Sequence, residues 1–332
     1  WARLGNVGWS FDDVLPYFKR AEDQQHGADA YHGVGGPLPV TDLPDKHELA
    51  DAYIAAAGEI GIPRNDDFNG AQQEGAGYFQ STARNGRRAS CAVAYLKPAR
   101  GRANLQVMSN AQVNRVLFEG TRAIGVSYEA LGTKHTVRAN KEVLLAGGSI
   151  NSPQLLQLSG VGPRGLLTKH GIAVVHASPQ VGQGLQDHFY ARTIWRWTQP
   201  ITLTDDMNSA VRRIGVGLKY LLKQRGPLTV SAGYAGAFVR TQPTMTRPDV
   251  QLYFINFSTD KMGTTLHRFS GFTASVSNLR PESRGRVRIR SANPLQAPAI
   301  QYNYLSSEND QKSMIDGLKI VQLARKGRVN NK

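Results

Sequence analysis

Residues 142–162 read EVLLAGGSINSPQLLQLSGVG, and they predict how the middle of the chain folds. After its glutamate the run EVLLAGG is short and continuously apolar, which is typical of a strand buried on both faces in a parallel sheet. Ser152 is a suitable N-cap for a helix with Pro153 in its first turn, and Gly160 is suited to end that helix. The stretch therefore predicts a buried strand, a tight turn and a short capped helix.

Strand-like sequence flanks this stretch on both sides. Between residues 105 and 138 the runs LQVMS, QVNRVLFEG and RAIGVSYEAL are separated by turn residues, which predicts an antiparallel meander. Further strands are predicted in IAVVHA and, after the helical segment AVRRIGVGLKYLLKQ, in VSAGYAGAFVR, VQLYFINF, GFTASVSNL and GRVRIRS. The predicted fold class is α+β, a mixed α/β chain whose large sheet is mainly antiparallel and carries helical cover.

The first 80 residues contain two helical patterns and a loop. A capping box that starts at Ser10 predicts a helix over 10–23, which Pro16 is expected to kink or restart. Apolar residues at helical spacing predict a second helix over 46–60. Residues 64–80 are rich in Gly, Asn and Asp, so a long irregular loop is expected there. Helices are also predicted over 163–171 and 310–326.

The chain is strongly basic, with 40 Lys and Arg against 25 Asp and Glu and a formal net charge of +15. Such a charge favours acidic partners such as nucleic acid, anionic lipid or phosphorylated ligands. The densest basic stretch is 280–291, where Arg286, Arg288 and Arg290 alternate with apolar residues and predict a strand with one wet and one dry face. Because stacking aromatics do not accompany these arginines, an exposed strand face is favoured over a nucleic-acid site.

Hydropathy and cysteine content indicate the compartment. No stretch approaches the roughly 18 uninterrupted apolar residues of a membrane span, and the N-terminal WARLGNVGWS does not resemble a signal peptide. Cys91 is the only cysteine, so no internal disulfide is expected, and its expected role is that of a small packed side chain. We therefore expect a soluble, cytoplasmic chain.

A dinucleotide-binding loop is the first chemistry to weigh. Residues 160–165 satisfy G-x-G-x-x-G, a pattern that requires a strand before it, a helix after it and an acidic residue at the end of the next strand. Here the preceding segment is predicted to be helical, the next strand ends without a carboxylate, and Pro163 removes an amide from the loop. The match is therefore interpreted as coincidental.

Two further chemistries fit the sequence poorly. The layout of EVLLAGGSINSPQLL is that of a nucleophile elbow, but Asn151 occupies the place of the second glycine. The adjacent Asp187 and His188 are not expected to form an orienting pair, because neighbouring side chains point in different directions. The eight histidines lack the spacing of a metal site, so no metal ligands are predicted.

Family likeness points to a different chemistry. Ten residues of the opening stretch occupy the fixed positions of a signature: Gly148, Ser149, Ser152, Pro153, Leu155, Leu156, Ser159, Gly160, Val161 and Gly162. This run resembles the second signature of the glucose-methanol-choline (GMC) flavin oxidoreductases. GWSFDDVLPYFKRAE, DFNGAQQEGAGYFQSTARNGRRASCAVAYL, VGQGLQDH and LRPESRGRVRIRSANPLQAPAIQYNYL resemble further family segments in the family's order, so the likeness covers nearly the whole chain. The second of these is most similar to the choline and aliphatic-alcohol dehydrogenase branch.

The resemblance implies a Rossmann-type FAD domain joined to a substrate domain with a large antiparallel sheet. It assigns 1–45 to an arm of the FAD domain, 46–98 to a helix and loop of the substrate domain, 99–185 to the FAD domain with its meander, 186–310 to the substrate-domain sheet, and 311–332 to the start of a helix that returns to the C-terminal part.

The resemblance also implies cofactor contacts. Val113 occupies the position where the family's strand backbone meets the adenine edge of FAD, and Ala146 and Gly147 lie at the strand end close to the dinucleotide. Small residues suit such a strand end because a larger side chain would block the cofactor. The alternative interpretation is that these three residues only pack the sheet.

Three family features are missing from the 332 residues: the N-terminal dinucleotide fingerprint, the first signature, and the C-terminal block with the catalytic histidine. We therefore predict no catalytic residue within this chain. The complete protein is expected to oxidise a small alcohol with FAD, by hydride transfer to the flavin. The isolated chain is expected to bind FAD weakly or not at all, to be inactive and to self-associate. The sequence does not define the electron acceptor of the complete protein. The alternative hypothesis is a non-catalytic basic binding module for nucleic acid or another anionic partner.

Overall fold

The computed structural model describes residues 1–230, 233–261 and 263–324. The chain divides into two compact units, between which the sequence alternates. Unit 1 contains Trp1–Leu105, Tyr190–Arg280 and Lys312–Lys332, and unit 2 contains Gln106–Phe189 and Pro281–Gln311.

Helices and strands alternate irregularly along the chain. The α-helices are α1 (Phe11–Ala21), α2 (Glu48–Glu59), α3 (Lys97–Ala99), α4 (Gly148–Leu158), α5 (Arg164–Lys169), α6 (Leu203–Asn208), α7 (Ala210–Lys223) and α8 (Glu308–Ala324). The strands are β1 (Glu22–Gln24), β2 (Leu38–Val40), β3 (Gly75–Tyr78), β4 (Ala83–Arg84), β5 (Arg87–Arg88), β6 (Ala111–Glu119), β7 (Arg122–Ala130), β8 (Thr133–Arg138), β9 (Val161–Gly162), β10 (His176–Ala177), β11 (Gln183–Leu185), β12 (Tyr190–Arg196), β13 (Ala235–Val239), β14 (Val250–Ile255), β15 (Gly271–Asn278), β16 (Gly285–Arg288) and β17 (Ala299–Gln301).

Unit 1 is organised by an antiparallel sheet in the order β12-β15-β14-β13-β3. Alternate residues of β14 share one face, and Phe254 on that face packs in a core with Leu49, Ala50 and Ile54 of α2. Helix α8 lies close to the same face, since a Cβ atom on Gly317 would come within 2.5 Å of the Val276 side chain. The prediction of a large antiparallel sheet with helical cover is confirmed.

The predicted helices of unit 1 form, with one correction. Ser10 and Asp13 form the expected capping box at the start of α1, and α2 begins at Glu48 and ends at Glu59. Pro16 was expected to kink or restart α1, and a restart is ruled out because the helix continues from Phe11 to Ala21 with Pro16 inside it. The proline removes only the hydrogen bond of its own nitrogen, and the neighbouring turns keep theirs.

The segment 64–80 is only partly a loop. Its last residues form β3, which pairs with β13 at the edge of the sheet. Gly77 lies against earlier residues of the same segment, because a Cβ atom there would lie 1.9 Å from the carbonyl oxygen of Asn65. The expectation of irregular structure was therefore wrong at its end, where glycine permits close backbone approach rather than disrupting the strand.

Unit 2 contains the predicted meander, in the order β6-β7-β8 with antiparallel pairing. A second small sheet has the order β11-β16-β17, and β9 pairs in parallel with β10. Two predicted strands differ from the structure. LQVMS, over 105–109, forms no strand, and IAVVHA pairs only at its last two residues.

The apolar run EVLLAGG was predicted to be a buried strand, and this is wrong for the described part of the chain. Residues 142–147 form no strand pairing there, and Leu144 is 78% exposed. An apolar run is buried only where neighbouring strands accept its amides and cover its side chains. Helix α4 then begins at Gly148, four residues before the predicted cap at Ser152.

The basic stretch around β16 has the predicted two faces. Val287 and Ile289 are buried, whereas Arg286 and Arg290 are exposed. Cys91 was expected to be packed, but it is exposed because it lies at the start of a short helical turn over Ala92–Leu96 in which no residue is buried.

Helix α8 begins at Glu308 and ends at Ala324, and residues 325 and 326 of the predicted helix lie outside the described residues. None of the described helices has the length and apolar composition needed to cross a bilayer.

Candidate functional site

The three residues predicted to contact the cofactor lie on one cleft. Val113, Ala146 and Gly147 all line a cavity of about 740 Å³ in unit 2. Val113 is contributed by the first strand of the meander, and the other two come from the residues that lead into α4. The structure thus brings together residues that are more than 30 positions apart in the sequence.

The walls of the cleft come from several segments of unit 2. These are the start of β6, Val126 of β7, the unpaired residues 143–147, helix α4, the loop 294–298, and Ile300 of β17. The pairing of β6 with β7 shifts between Val113 and Arg115, which is the mark of a β-bulge. Bulges redirect a strand locally and are frequent beside functional sites.

Glycine is required where the chain turns into α4. Gly148 has a φ of +74°, a conformation that side chains rarely adopt. At Gly147 a Cβ atom would lie 3.1 Å from both the Cβ of Asn151 and the backbone nitrogen of Ser152. Glycine at these two positions therefore lets the chain turn closely into the first turn of α4.

The cleft is apolar and uncharged. Its described lining contains aliphatic side chains, prolines and a few amides, and none of the lining residues is charged. The helix entry adds polarity, because the first amides of α4 have no acceptor inside the helix and Gly147 offers no side-chain cap. The uncharged lining can accommodate an uncharged ring, and the free amides at the start of α4 can donate hydrogen bonds to an acceptor in the cleft.

Gln157, which the sequence analysis did not single out, holds α4 in place. Its side chain is fully buried, and its Nε2 atom donates to the carbonyl oxygens of Val181 at 3.2 Å and Val287 at 3.0 Å. Its Oε1 atom accepts from the backbone nitrogen of Ile289 at 2.9 Å. One amide thus joins α4 to β16 and to the loop before β11.

A second amide of the same helix reaches the opposite wall of the cleft. Gln154 lines the cavity, and its Nε2 atom donates to the carbonyl oxygen of Gln296 at 3.0 Å. Both glutamines interrupt the leucines in the second half of α4, and that interruption was the available sequence signal. Buried polar groups in a packed helix require partners.

The glycine pattern at 160–165 is not preceded by the strand that a dinucleotide loop requires. Helix α4 precedes it, as predicted, and the carbonyl oxygen of Gly160 accepts from the backbone nitrogens of Val175 and His176.

Asp187 accepts a hydrogen bond from the hydroxyl of Tyr304, and burial together with this carboxylate raises the pKa of Tyr304. No cluster of metal-ligating side chains occurs among the described residues.

An aromatic cavity of about 250 Å³ lies in unit 1. Phe68, Phe79 and Phe238 line or flank it, with ring centroids 5.6 Å apart for Phe68 and Phe79 and 5.0 Å apart for Phe68 and Phe238. Tyr253 packs 5.9 Å from Phe79, and burial raises the pKa of its hydroxyl. The aromatic side chains of the segment 64–80 are therefore packed together beside a cavity.

Comparisons with known proteins agree on one family. The family model described as GMC oxidoreductase matches residues 1–190, and a second GMC oxidoreductase model matches residues 281–328. The chain is 42% identical over 310 residues to a mitochondrial choline dehydrogenase of Homo sapiens, covering 93% of the chain and 52% of the relative. It is 41% identical to an oxygen-dependent choline dehydrogenase of Brucella suis, covering 93% and 56%. The chain spans about half the length of these curated relatives.

Solved structures show the same likeness. Pyridoxine 4-oxidase from Mesorbium loti is 26% identical with a TM-score of 0.83, covering 97% of this chain and 60% of that one. An FAD-dependent oxidoreductase from Chaetomium thermophilum is 25% identical with a TM-score of 0.86, covering 98% and 65%.

Proposed function

Because the chain belongs to the GMC oxidoreductase family, we propose that the complete protein is an FAD-dependent dehydrogenase or oxidase that converts an alcohol to an aldehyde. The observation that carries the proposal is the match of the family models to both ends of the chain. The comparisons give no support to the alternative of a non-catalytic basic binding module.

The uncharged cleft of unit 2 fits the adenine end of FAD. In this proposal the backbone of Val113 meets the edge of the ring, and Ala146 and Gly147 leave room for the dinucleotide. Gly147 supports this fit because it lines the cleft without a side chain. When bound, FAD supplies the hydride acceptor of the reaction. The residues of the cleft bind and orient, since none of them carries a side chain able to take the hydroxyl proton.

We further propose that the grip on the pyrophosphate and the proton acceptor come from parts of the complete protein outside these 332 residues. The family's dinucleotide fingerprint and catalytic histidine block do not occur in this sequence. The isolated chain is then inactive, binds FAD weakly or not at all, and self-associates through apolar residues such as Leu144 and Leu145.

Choline is the alcohol that the relatives favour, and the aromatic cavity of unit 1 supports a substrate with a quaternary ammonium group. Phe68, Phe79 and Phe238 offer aromatic side chains to a cation, and the described lining contains one carboxylate, Asp66. The electron acceptor is left undefined, and we place the protein in the cytoplasm.

The test compares two preparations, the 332-residue chain and the protein made from its complete coding sequence. We expect stoichiometric flavin absorbance and choline oxidation with an artificial acceptor from the complete protein, and neither from the chain. Choline is expected to have a lower KM than the neutral isostere 3,3-dimethylbutan-1-ol. A complete protein without flavin would contradict the proposed activity, and equal KM values would contradict only the substrate assignment.

A further inference from the structure

Helix α7 directs its apolar residues away from the protein. Five large apolar side chains, spaced i, i+3, i+7, i+10 and i+11 along the helix, form a stripe and are at least half exposed. They are Val211 (80%), Ile214 (63%), Leu218 (51%), Leu221 (71%) and Leu222 (79%). This spacing places them on one side of the helix. In an ordinary surface helix that side faces the core, but no residue of α7 is buried.

Polar contacts of unit 1 hold the helix in this orientation. Ser209 caps α7 by accepting a hydrogen bond from the backbone nitrogen of Arg212. The side chain of Arg212 donates to the carbonyl oxygen of Pro200 at 2.6 Å. Lys219 Nζ lies 2.9 Å from Asp45 Oδ2. The side of the helix that carries the cationic residues makes these contacts, so the apolar stripe on its other side faces outward.

The charge of this segment identifies what can cover the stripe. Residues 210–225 contain five cations and no acidic residue: Arg212, Arg213, Lys219, Lys223 and Arg225. Asp45 pairs with Lys219 and Arg225, and Asp206 lies 4.0 Å from Arg212, whereas the structure gives Arg213 and Lys223 no ion pair within the described residues. A second copy docked here would place two such cationic segments together. An anionic phospholipid surface satisfies both the charge and the apolar stripe.

We propose that α7 is a surface anchor that lies in the headgroup region of an anionic bilayer, with its apolar stripe towards the acyl chains. At 14 residues it is about 21 Å long, which is shorter than the roughly 30 Å hydrocarbon core, so it lies along the membrane surface. Leu228, which is 55% exposed just beyond the helix, extends the apolar patch. The proposal is independent of flavin binding.

The test is co-sedimentation of the protein made from its complete coding sequence with vesicles of pure phosphatidylcholine or of phosphatidylcholine with one quarter phosphatidylglycerol. We expect binding to the anionic vesicles that weakens at high salt. The triple variant Ile214→Gln, Leu218→Gln, Leu221→Gln is expected to bind at least tenfold more weakly. Arg213→Gln with Lys223→Gln is expected to weaken binding about 25-fold, from roughly fivefold for each cation removed. Leu131→Gln, at an almost fully exposed leucine of the β7–β8 turn, is the matched control and is expected to bind as the parent does.

Circular dichroism of each variant separates loss of binding from loss of folding. A parent chain that stays in the supernatant with anionic vesicles overturns the proposal. So does light scattering that shows a dimer abolished by the triple variant without any vesicle binding, because the stripe is then an interface between copies. Equal loss in Leu131→Gln also overturns it.

Discussion

The hydroxyl oxygen of Ser159 accepts a 2.8 Å hydrogen bond from the backbone nitrogen of Val116 and donates one to the carbonyl oxygen of Leu155. Ser159 and Val116 are both buried. The first bond ties the end of α4 to β6, the strand that carries Val113, and the second closes the last turn of the helix. A single serine of the family signature therefore aligns two walls of the cleft.

Replacing this serine tests that connection. Ser159→Ala leaves the buried amide of Val116 without its acceptor, and we expect a loss of about 1–3 kcal/mol in the free energy of unfolding. Urea denaturation followed by circular dichroism measures it. Ser149→Ala, at an exposed serine of the same helix, is expected to change the free energy by less than about 0.5 kcal/mol. Equal losses in the two variants would show that the hydrogen bond between Ser159 and Val116 does not stabilise the fold.

Gln157 offers a charge-based test of the same helix. Gln157→Glu removes two donated hydrogen bonds and places a carboxylate where the side chain is fully buried, so we expect a loss of about 3–5 kcal/mol at neutral pH. Burial raises the pKa of such a carboxyl group, so the loss is expected to shrink as the pH falls towards 4. Gln180→Glu, at an exposed glutamine of unit 2, is the control. A deficit that is independent of pH would contradict a buried charge.

The sequence predicted those elements that depend on local pattern. The meander, α2 and α7 follow from residue periodicity and turn residues, and the two faces of β16 follow from alternation. The run EVLLAGG was misjudged because apolar composition does not show whether partner strands are present. Gln157 was missed because its partners Val181 and Val287 are brought to it by the fold and are distant in sequence.

The cofactor contacts were predicted by resemblance, and substitutions at two glycines test them. In the complete protein, Gly147→Val adds a branched side chain to the cleft lining, and its Cβ atom crowds Asn151 and Ser152 at the entry to α4, so we expect flavin content to fall at least tenfold. Gly165→Ala, in the coincidental G-x-G-x-x-G pattern, adds a Cβ atom with no neighbour within 4 Å, and flavin content is expected to stay unchanged. The ratio of flavin to protein absorbance measures both. The opposite ranking would place the dinucleotide at the glycine pattern instead.

His32 is expected to make the stability of unit 1 depend on pH. It is buried, its Nδ1 atom lies 3.1 Å from both carboxylate oxygens of Glu22, and its Nε2 atom lies 3.0 Å from Asp67 Oδ2. Burial alone would lower the pKa of His32, but the carboxylates of Glu22 and Asp67 outweigh it and raise the pKa. A group whose pKa is raised by folding stabilises the protein below its unfolded pKa of about 6.5. That stabilisation is lost as the pH rises through the folded value.

Thermal unfolding between pH 5.5 and 8.5 is expected to show this decline, with a slope of at most about 1.4 kcal/mol per pH unit for one proton. Asp67→Asn removes one of the two charges that hold the proton, so the decline is expected to become shallower. Asp66→Asn is the matched control, because the neighbouring Asp66 pairs with Arg64 and not with His32, and the slope of the parent is expected to remain. If Asp67→Asn keeps the full slope, the pH dependence arises from another group.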